Sequence, residues 1–395
     1  MHLNLNKLSD QFIFWNLKKI AHGYLELIDA MGNKHFFGNT ESQLKAKVKI
    51  NSPSFSFKLL RKGSSGLGES YINNEFETEN LPALIELSAR NINITYKFSG
   101  FFQFPFIKNF IKNKIIPNTK KRSEKNVASH YDLGNEFFST WLDKTLTYSC
   151  GIFNSSDETL EKAQINKYNK LIELIKPKSG DTILEIGCGW GGFATHLAKN
   201  YDIKLDCITI SKKQLLYTKE RVRKLGLGNK VNVQMLDYRD VKKKYNSIIS
   251  IEMIEAVGEK YLTEYFKIIK ENLLPEGRVA IQAIIIKDEL YDRYKSQEDF
   301  IQKYIFPGGF LPSIKSLNAS SDTSGLKIEN YKLYGSHYSS TLQKWRESFL
   351  NSWDVISRQG FDANFKKMWD FYLSYCEAGF KSKNIDLIQF SLCNK

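Results

Sequence analysis

One short stretch constrains this chain more than any other. Residues 182–187 read Thr-Ile-Leu-Glu-Ile-Gly, and they run into Glu185-Ile-Gly187-Cys-Gly189-Trp-Gly191-Gly192, followed by a helical pattern over 193–200. A short apolar run closed by glycines is a buried strand. The glycines let the backbone pass close to a ligand, and the helix that follows offers free N–H groups to it. The alternation then continues, with strands expected over 204–210, 231–236, 247–251 and 278–286 and helices over 212–224 and 261–273. Alternating strands and helices imply an α/β fold, a mostly parallel sheet with helices on both faces.

The turn has two competing ligands. Gly187-x-Gly189-x-x-Gly192 satisfies the dinucleotide fingerprint. That fingerprint wants an acidic residue at the end of the second strand to hold a ribose. Asp206 lies near the expected spacing but precedes Cys207-Ile-Thr-Ile, which places it inside the strand. Glu185, two residues before the first glycine, is instead typical of proteins that bind S-adenosylmethionine (SAM). SAM is therefore preferred, with a nicotinamide cofactor and an empty structural turn as the alternatives.

At 395 residues the chain is long enough for about two to three domains. Its most apolar stretch, residues 279–286, is far short of the roughly 20 residues that span a bilayer. The N-terminus carries no clean apolar core or small-residue cleavage site of a secretory signal. Cys150, Cys188, Cys207, Cys376 and Cys393 form no CxxC pair and no zinc spacing, so reduced thiols in a cytoplasm and no metal are expected.

The net charge is +14, and half of it falls in one place. Residues 97–125 hold eight basic side chains and one acidic one, Glu124. Such a cluster suits a polyanion, either nucleic acid or an anionic membrane surface. Within it, Phe101, Phe102, Phe104, Phe106, Ile107, Phe110, Ile111, Ile115 and Ile116 are interleaved with Lys108, Lys112 and Lys114. The segment reads as a basic amphipathic helix in a membrane interface, or as a helix packing its aromatic face on the next domain. Upstream, residues 45–50 and 54–59 alternate like strands. Arg61-Lys-Gly-Ser-Ser-Gly-Leu-Gly68 reads as a glycine-rich turn, and a helix starts after Leu81-Pro82. The tail from 341 to 380 reads as helical and aromatic-rich.

Seven motifs, in order, give the chain a recognisable identity. They are His130-Tyr-Asp-Leu-Gly-Asn135, Tyr148-Ser-Cys150, the glycine turn at 185–192, Thr209-Ile-Ser211 with Gln214, Asp237-Tyr-Arg-Asp240, Glu255 followed by Val257-Gly258, and Tyr304-Ile-Phe-Pro-Gly-Gly309 with Leu311-Pro-Ser313. Tyr338 and the stretch from Tyr372 to Cys376 also fit. The chain resembles the cyclopropane-fatty-acyl-phospholipid synthase family, which includes the mycolic acid cyclopropane synthases. Gly66-Leu-Gly-Glu-Ser-Tyr71 resembles the N-terminal domain of the long, phospholipid-acting members.

The resemblance implies a class I SAM-methyltransferase (Rossmann-like) domain over residues 127–395, a smaller α+β N-terminal domain over 1–100 suited to lipid docking, and a basic aromatic helix and linker over 101–126. The implied reaction is alkylation of a cis double bond in a phospholipid acyl chain. An alkene attacks the sulfonium methyl, a carbocation forms, and a base removes a proton from the new methyl group to close a ring. Such a site needs aromatic faces to steady a cation and one buried base, which family members supply as bound bicarbonate. Cys150, Glu255, Gln282, Ile284 (through its backbone) and Tyr338 match the bicarbonate-holding, catalytic positions. Gly187 and Gly189 with Glu185 match the SAM cradle, Tyr148 and Ser149 the lid over its methionine end, Thr209 and Gln214 the ribose and adenosine contacts, Asp237 and Tyr238 the adenine edge, and Tyr131 a further contact.

Two positions depart from the family pattern. Gln282 and Ala256 stand where the well-studied enzymes have histidines. Glutamine donates a hydrogen bond but carries no proton as imidazole does, so a methyl- or methylene-branched product is the alternative to a ring. The resemblance also leads to the expectation of a homodimer, and of a cytoplasmic enzyme held peripherally at the inner membrane face. A nucleic-acid methyltransferase, the rival the charge suggests, would need an Asn/Asp-Pro-Pro-aromatic tetrad or a reactive Cys after Pro. None of the eight prolines sits in such a setting.

Overall fold

The computed structural model describes residues 2–95, 119, 120, 122 and 133–395. The basic aromatic segment at 101–116, most of the linker to 126, and Tyr131 lie outside the described residues. Among the described residues no helix is long and apolar enough to cross a membrane. The chain forms two compact units. One holds the described residues up to 95 with Lys295–Ile305 and Trp353–Asn384. The other holds the described residues from 119 to Tyr294, with Phe306–Ser352 and Ile385–Lys395.

The first unit is built on a four-stranded sheet of β1 (Tyr24–Ile28), β2 (Lys34–Gly38), β3 (Lys45–Ile50) and β4 (Phe76–Thr78), in the order β2-β1-β3-β4. In β3 the lysines face out while Ala46, Val48 and Ile50 are buried, the strict alternation of a half-covered strand. The helix Leu81–Arg90 starts as expected. Asn80 accepts from the Ala83 amide at 3.0 Å, and a proline sits in the first turn.

Residues 54–59 differ from expectation: they open a helix, Phe55–Ile72, that also absorbs the glycine-rich stretch. The helix breaks only at Gly63 (φ 55°, ψ −130°). The other glycines serve close packing. A Cβ on Gly66 would lie 2.5 Å from the Lys58 carbonyl oxygen, and one on Gly68 would lie 2.4 Å from the Phe300 ring and 3.0 Å from Phe371. Gly68→Ala is therefore expected to destabilise this unit by about 1–3 kcal/mol, the usual penalty for an overpacked core, measured as a drop in its thermal transition.

The segment at 353–384 groups with this first unit, not with the sheet whose last strand follows it. The helix Ala363–Lys381 packs on Leu81–Arg90. Tyr71 donates its hydroxyl to Asp370 at 2.8 Å, and Asn384 donates to the Ala89 carbonyl at 2.9 Å. The boundaries expected at 100 and 126 are contiguous cuts, whereas the two units interleave along the chain.

The second unit is a seven-stranded sheet of β5 (Thr182–Ile186), β6 (Lys204–Thr209), β7 (Val231–Met235), β8 (Tyr245–Ile251), β9 (Leu273–Ile286), β10 (Leu326–Leu333) and β11 (Ile385–Asn394). Their order is β10-β11-β9-β8-β5-β6-β7. β9, β8, β5, β6 and β7 are mutually parallel, and β11 runs antiparallel between β9 and β10. Every strand and helix expected between 182 and 286 is present within a few residues of its expected ends. From β5 the chain winds outward through β6 and β7, then returns to β8 on the other side of β5. That reversal opens a crevice beyond the carboxyl ends of β5 and β8, where open α/β sheets bind ligands.

Candidate active site

The glycine turn lines this crevice. Gly187 has φ 81°, and a Cβ there would lie 2.9 Å from the Met253 Cγ. Gly191 caps the helix Gly192–Asn200 in the left-handed conformation (φ 78°), with the Thr218 methyl 2.7 Å from where its Cβ would be. Gly189 faces open space. A turn that tight, with an open side and a helix N-terminus behind it, fits the methionine end of SAM.

The other expected cofactor residues gather around the same strand ends. Thr209 ends β6 and donates to the Gln214 side chain at 2.9 Å, and both are buried. Asp237 accepts from the Arg239 backbone N–H and guanidinium at 2.8–2.9 Å, and Tyr238 packs edge-on against Tyr265. Ser149 accepts from the Lys167 ammonium at 2.7 Å. Glu185 is buried on β5, where desolvation pushes its carboxyl up to about 8 and the Cys207 thiol is its partner at 3.5 Å. Asp206 lies inside β6 and is engaged by Lys243, Asn232 and Tyr245 at 2.8–3.0 Å. No acid stands at the end of that strand, so the dinucleotide reading lacks its ribose ligand.

Tyr148 sits in a nest of rings. Centroids of Phe138, Trp141 and Trp345 lie 5.2–5.7 Å away, and Phe306 lies at 6.5 Å. Phe138, Trp141 and Trp345 are all buried. The face of an aromatic ring carries a negative quadrupole that attracts a cation.

The expected catalytic residues fall into two linked groups. Glu255 accepts from the Ile284 backbone N–H at 2.6 Å, while its other oxygen is buried with no partner among the described residues. Burial first, and the charge of Glu252 second, push the Glu255 carboxyl up to about 8. Cys150, Gln282 and Tyr338 instead converge on Glu252, which the sequence reading missed. Glu252 accepts from the Cys150 backbone N–H at 2.9 Å, from the Gln282 amide at 2.8 Å and from the Tyr338 hydroxyl at 2.6 Å. Burial also raises its pKa, but these donors and the Lys167 charge act against that rise. Three donors and the Lys167 charge thus favour the ionised form of Glu252, whereas Glu255 has one backbone donor. The Cys150 thiol is fully buried, its pKa driven well up by desolvation, and it donates to the Gly151 carbonyl at 3.1 Å. Burial and this hydrogen bond favour the neutral thiol.

Two further residues complete the arrangement. Gln389 on β11 stands opposite Gln282 on β9 and donates to its side-chain oxygen at 2.8 Å, which leaves the Gln282 N–H₂ for Glu252. Lys167 is fully buried, and desolvation lowers its ammonium to about 8. Its sequence neighbourhood, Lys162, Lys167 and Lys170 on one helix, offered no signal. Glu252 did leave one: an acid directly after the apolar strand Tyr245–Ile251, as Glu185 stands in β5 beside the turn.

Bicarbonate does not fit the site as arranged. Three of the groups expected to hold it, Cys150, Gln282 and Tyr338, already serve the Glu252 carboxylate. A second anion there would face a buried charge with its donors spent.

The strand order, with its reversal beside β5, and the glycine turn define the class I SAM-dependent methyltransferase fold. Comparison with known proteins narrows this. The sequence pattern of the mycolic acid cyclopropane synthetase family matches residues 118–390. The tuberculostearic acid methyltransferase UfaA1 of Mycobacterium tuberculosis is 34% identical over 340 residues, 84% of this chain and 79% of that protein. The cyclopropane-fatty-acyl-phospholipid synthase of Escherichia coli is 33% identical over 347 residues, 87% of each chain. Among solved structures, the cyclopropane synthase MmaA2 of Mycobacterium tuberculosis superposes with a TM-score of 0.65 at 27% identity, covering 68% of this chain and 97% of that one. The mycolic acid cyclopropane synthase CmaA1, solved with SAH and CTAB, gives 0.64 at 27% identity, covering 69% and 98%. The chain belongs to the mycolic acid cyclopropane synthetase family and is a SAM-dependent enzyme of the cyclopropane-synthase type.

Proposed function

We propose that the protein adds the methyl carbon of SAM to a cis double bond in a phospholipid acyl chain and closes a cyclopropane ring. The observation that carries this reading is the ring nest around Tyr148 in the same unit as a buried carboxylate pair. Aromatic faces steady a carbocation without trapping it, and a buried carboxylate removes a proton where water would otherwise quench the cation.

When bound, SAM supplies an electrophilic methyl group. Gly187, Gly189 and the N–H groups of the following helix hold its methionine end, with Tyr148 and Ser149 over it. Thr209 and Gln214 take the ribose, and Asp237 and Tyr238 take the adenine. The excess of basic residues over 97–125 supports docking at an anionic membrane surface, where each Lys or Arg contributes about 1 kcal/mol.

A second reading, a methyl- or methylene-branched product, draws on Gln282 and on the likeness to a tuberculostearic acid methyltransferase. The experiment incubates the enzyme with methyl-deuterated SAM and vesicles of cis-monounsaturated phospholipid, then analyses the fatty acid esters by gas chromatography and mass spectrometry. A ring product retaining two deuterons is expected. A methyl branch retaining three deuterons, or a methylene group separable by retention time, selects the second reading. An unlabelled acyl chain overturns both.

A further inference from the structure

Among the described residues Glu252 is the one acid with a positive φ. It follows β8 directly and adopts φ 49°, in the left-handed region that non-glycine residues rarely enter. A conformation of that kind costs of order 1–3 kcal/mol and persists where surrounding structure enforces it. Here Gln282 clamps both ends of the residue. Its carbonyl accepts the Glu252 backbone N–H at 2.8 Å, and its amide donates to the Glu252 carboxylate at 2.8 Å. Gln389 orients that amide, Tyr338 takes the other carboxylate oxygen, and the Cys150 N–H closes the set. Strain, a two-point clamp and three donors thus fix one carboxylate where the family resemblance expected a bound anion.

We propose that the Glu252 carboxylate replaces bicarbonate in this enzyme and is itself the base that removes the proton from the newly added methyl group. The inference rests on the reading of the protein as an alkene-methylating enzyme. The alkene π pair forms the bond to the methyl carbon while the sulfur keeps the electrons of the broken S–C bond. The neighbouring carbon is left cationic. Glu252 takes one proton from the new methyl group, and the freed C–H pair bonds to the cationic carbon and closes the ring. Glu252 ends as a neutral acid and returns its proton to solvent after product leaves. Charge balances because one carboxylate is neutralised as one sulfonium disappears. Gln282 suits this role better than histidine, since its amide cannot accept the proton that the carboxylate must receive.

The test uses the full-length protein, its Glu252→Gln and Glu252→Gly variants, and two readouts. The first is methyl transfer to phospholipid vesicles in buffer stripped of carbon dioxide, with and without sodium bicarbonate. The second, which needs no lipid, is binding of ¹³C-bicarbonate to the S-adenosylhomocysteine-saturated protein, followed by NMR. The wild type is expected to keep its rate within about twofold without bicarbonate and to bind none. Glu252→Gln should turn over about a thousandfold more slowly, the middle of the range for loss of a general base, with S-adenosylhomocysteine affinity within about twofold. Glu252→Gly suits the left-handed backbone, so it should fold. It should bind bicarbonate, and bicarbonate or sodium formate should restore activity at least tenfold. A wild type that binds bicarbonate, or loses tenfold in rate without it, overturns the proposal. So does a Glu252→Gln variant of near-normal rate. If the wild type labels no acyl chain, the functional reading falls and the base role with it. The binding readout tells that failure apart from one in which bicarbonate simply occupies the site.

Discussion

Gly187→Val is expected to weaken S-adenosylhomocysteine binding at least a hundredfold, equivalent to about 2.7 kcal/mol. Two effects combine. The backbone at Gly187 has φ 81°, where an L side chain costs about 1–2 kcal/mol. The added Cβ would also lie 2.9 Å from Met253 Cγ, so either the turn or Met253 must move. Met253 adjoins Glu252, so a shift there disturbs the cofactor turn and the carboxylate together. Gly180→Val is the matched control. Its φ of 84° carries the same backbone strain, but nothing lies within 4 Å of the new Cβ. Isothermal titration should show the affinity loss for Gly187→Val alone, while both variants lose comparable backbone stability. Equal affinities in the two variants would show that the close approach at the turn does not matter for the cofactor.

The second large effect is on stability against pH. Glu255 keeps its proton up to about 8 in the folded protein, against 4.5 for the free side chain. Between those values the folded state binds one proton more than the unfolded state, so stability falls as pH rises. The contribution is fully present below pH 4.5 and is lost as pH passes through about 8. One proton corresponds to about 1.4 kcal/mol per pH unit. Denaturant titrations of the ligand-free protein from pH 5 to 8 should show this slope, and Glu255→Gln should remove it. Glu185, also raised to about 8, adds its own slope to both proteins and cancels in the comparison. Parallel curves for wild type and Glu255→Gln would mean that Glu255 is already ionised when folded.

Both predictions concern residues that local sequence made visible. The glycine turn was legible because backbone at positive φ and a strand-to-helix reversal need glycine at fixed spacing, whatever surrounds them. The parallel sheet was legible because a strand covered on both faces is mostly apolar, as in β5, where Ile183, Leu184 and Ile186 are buried. Cys150, Glu255, Gln282, Ile284 and Tyr338 were named from motifs, and the fold collects all five in one unit.

Three features came only from the folded molecule. Residues 54–59 alternate like a strand, yet they open the helix Phe55–Ile72, which packs through Gly68 on Phe300 and Phe371, more than 200 positions away. The segment 353–384 joins the first unit because Tyr71, Ala89 and Arg90 supply its contacts, and no local pattern encodes a distant partner. Glu252 is marked in sequence as an acid directly after an apolar strand, but that position does not name its partners. Its importance lies in donors from residues 150, 282 and 338, brought together by strand register and by a backbone angle that no residue type announces. The sequence by itself determined the class of fold and the cofactor turn, because those depend on spacing along the chain. The tertiary structure decided which carboxylate receives the donors, because that depends on which distant groups each one meets.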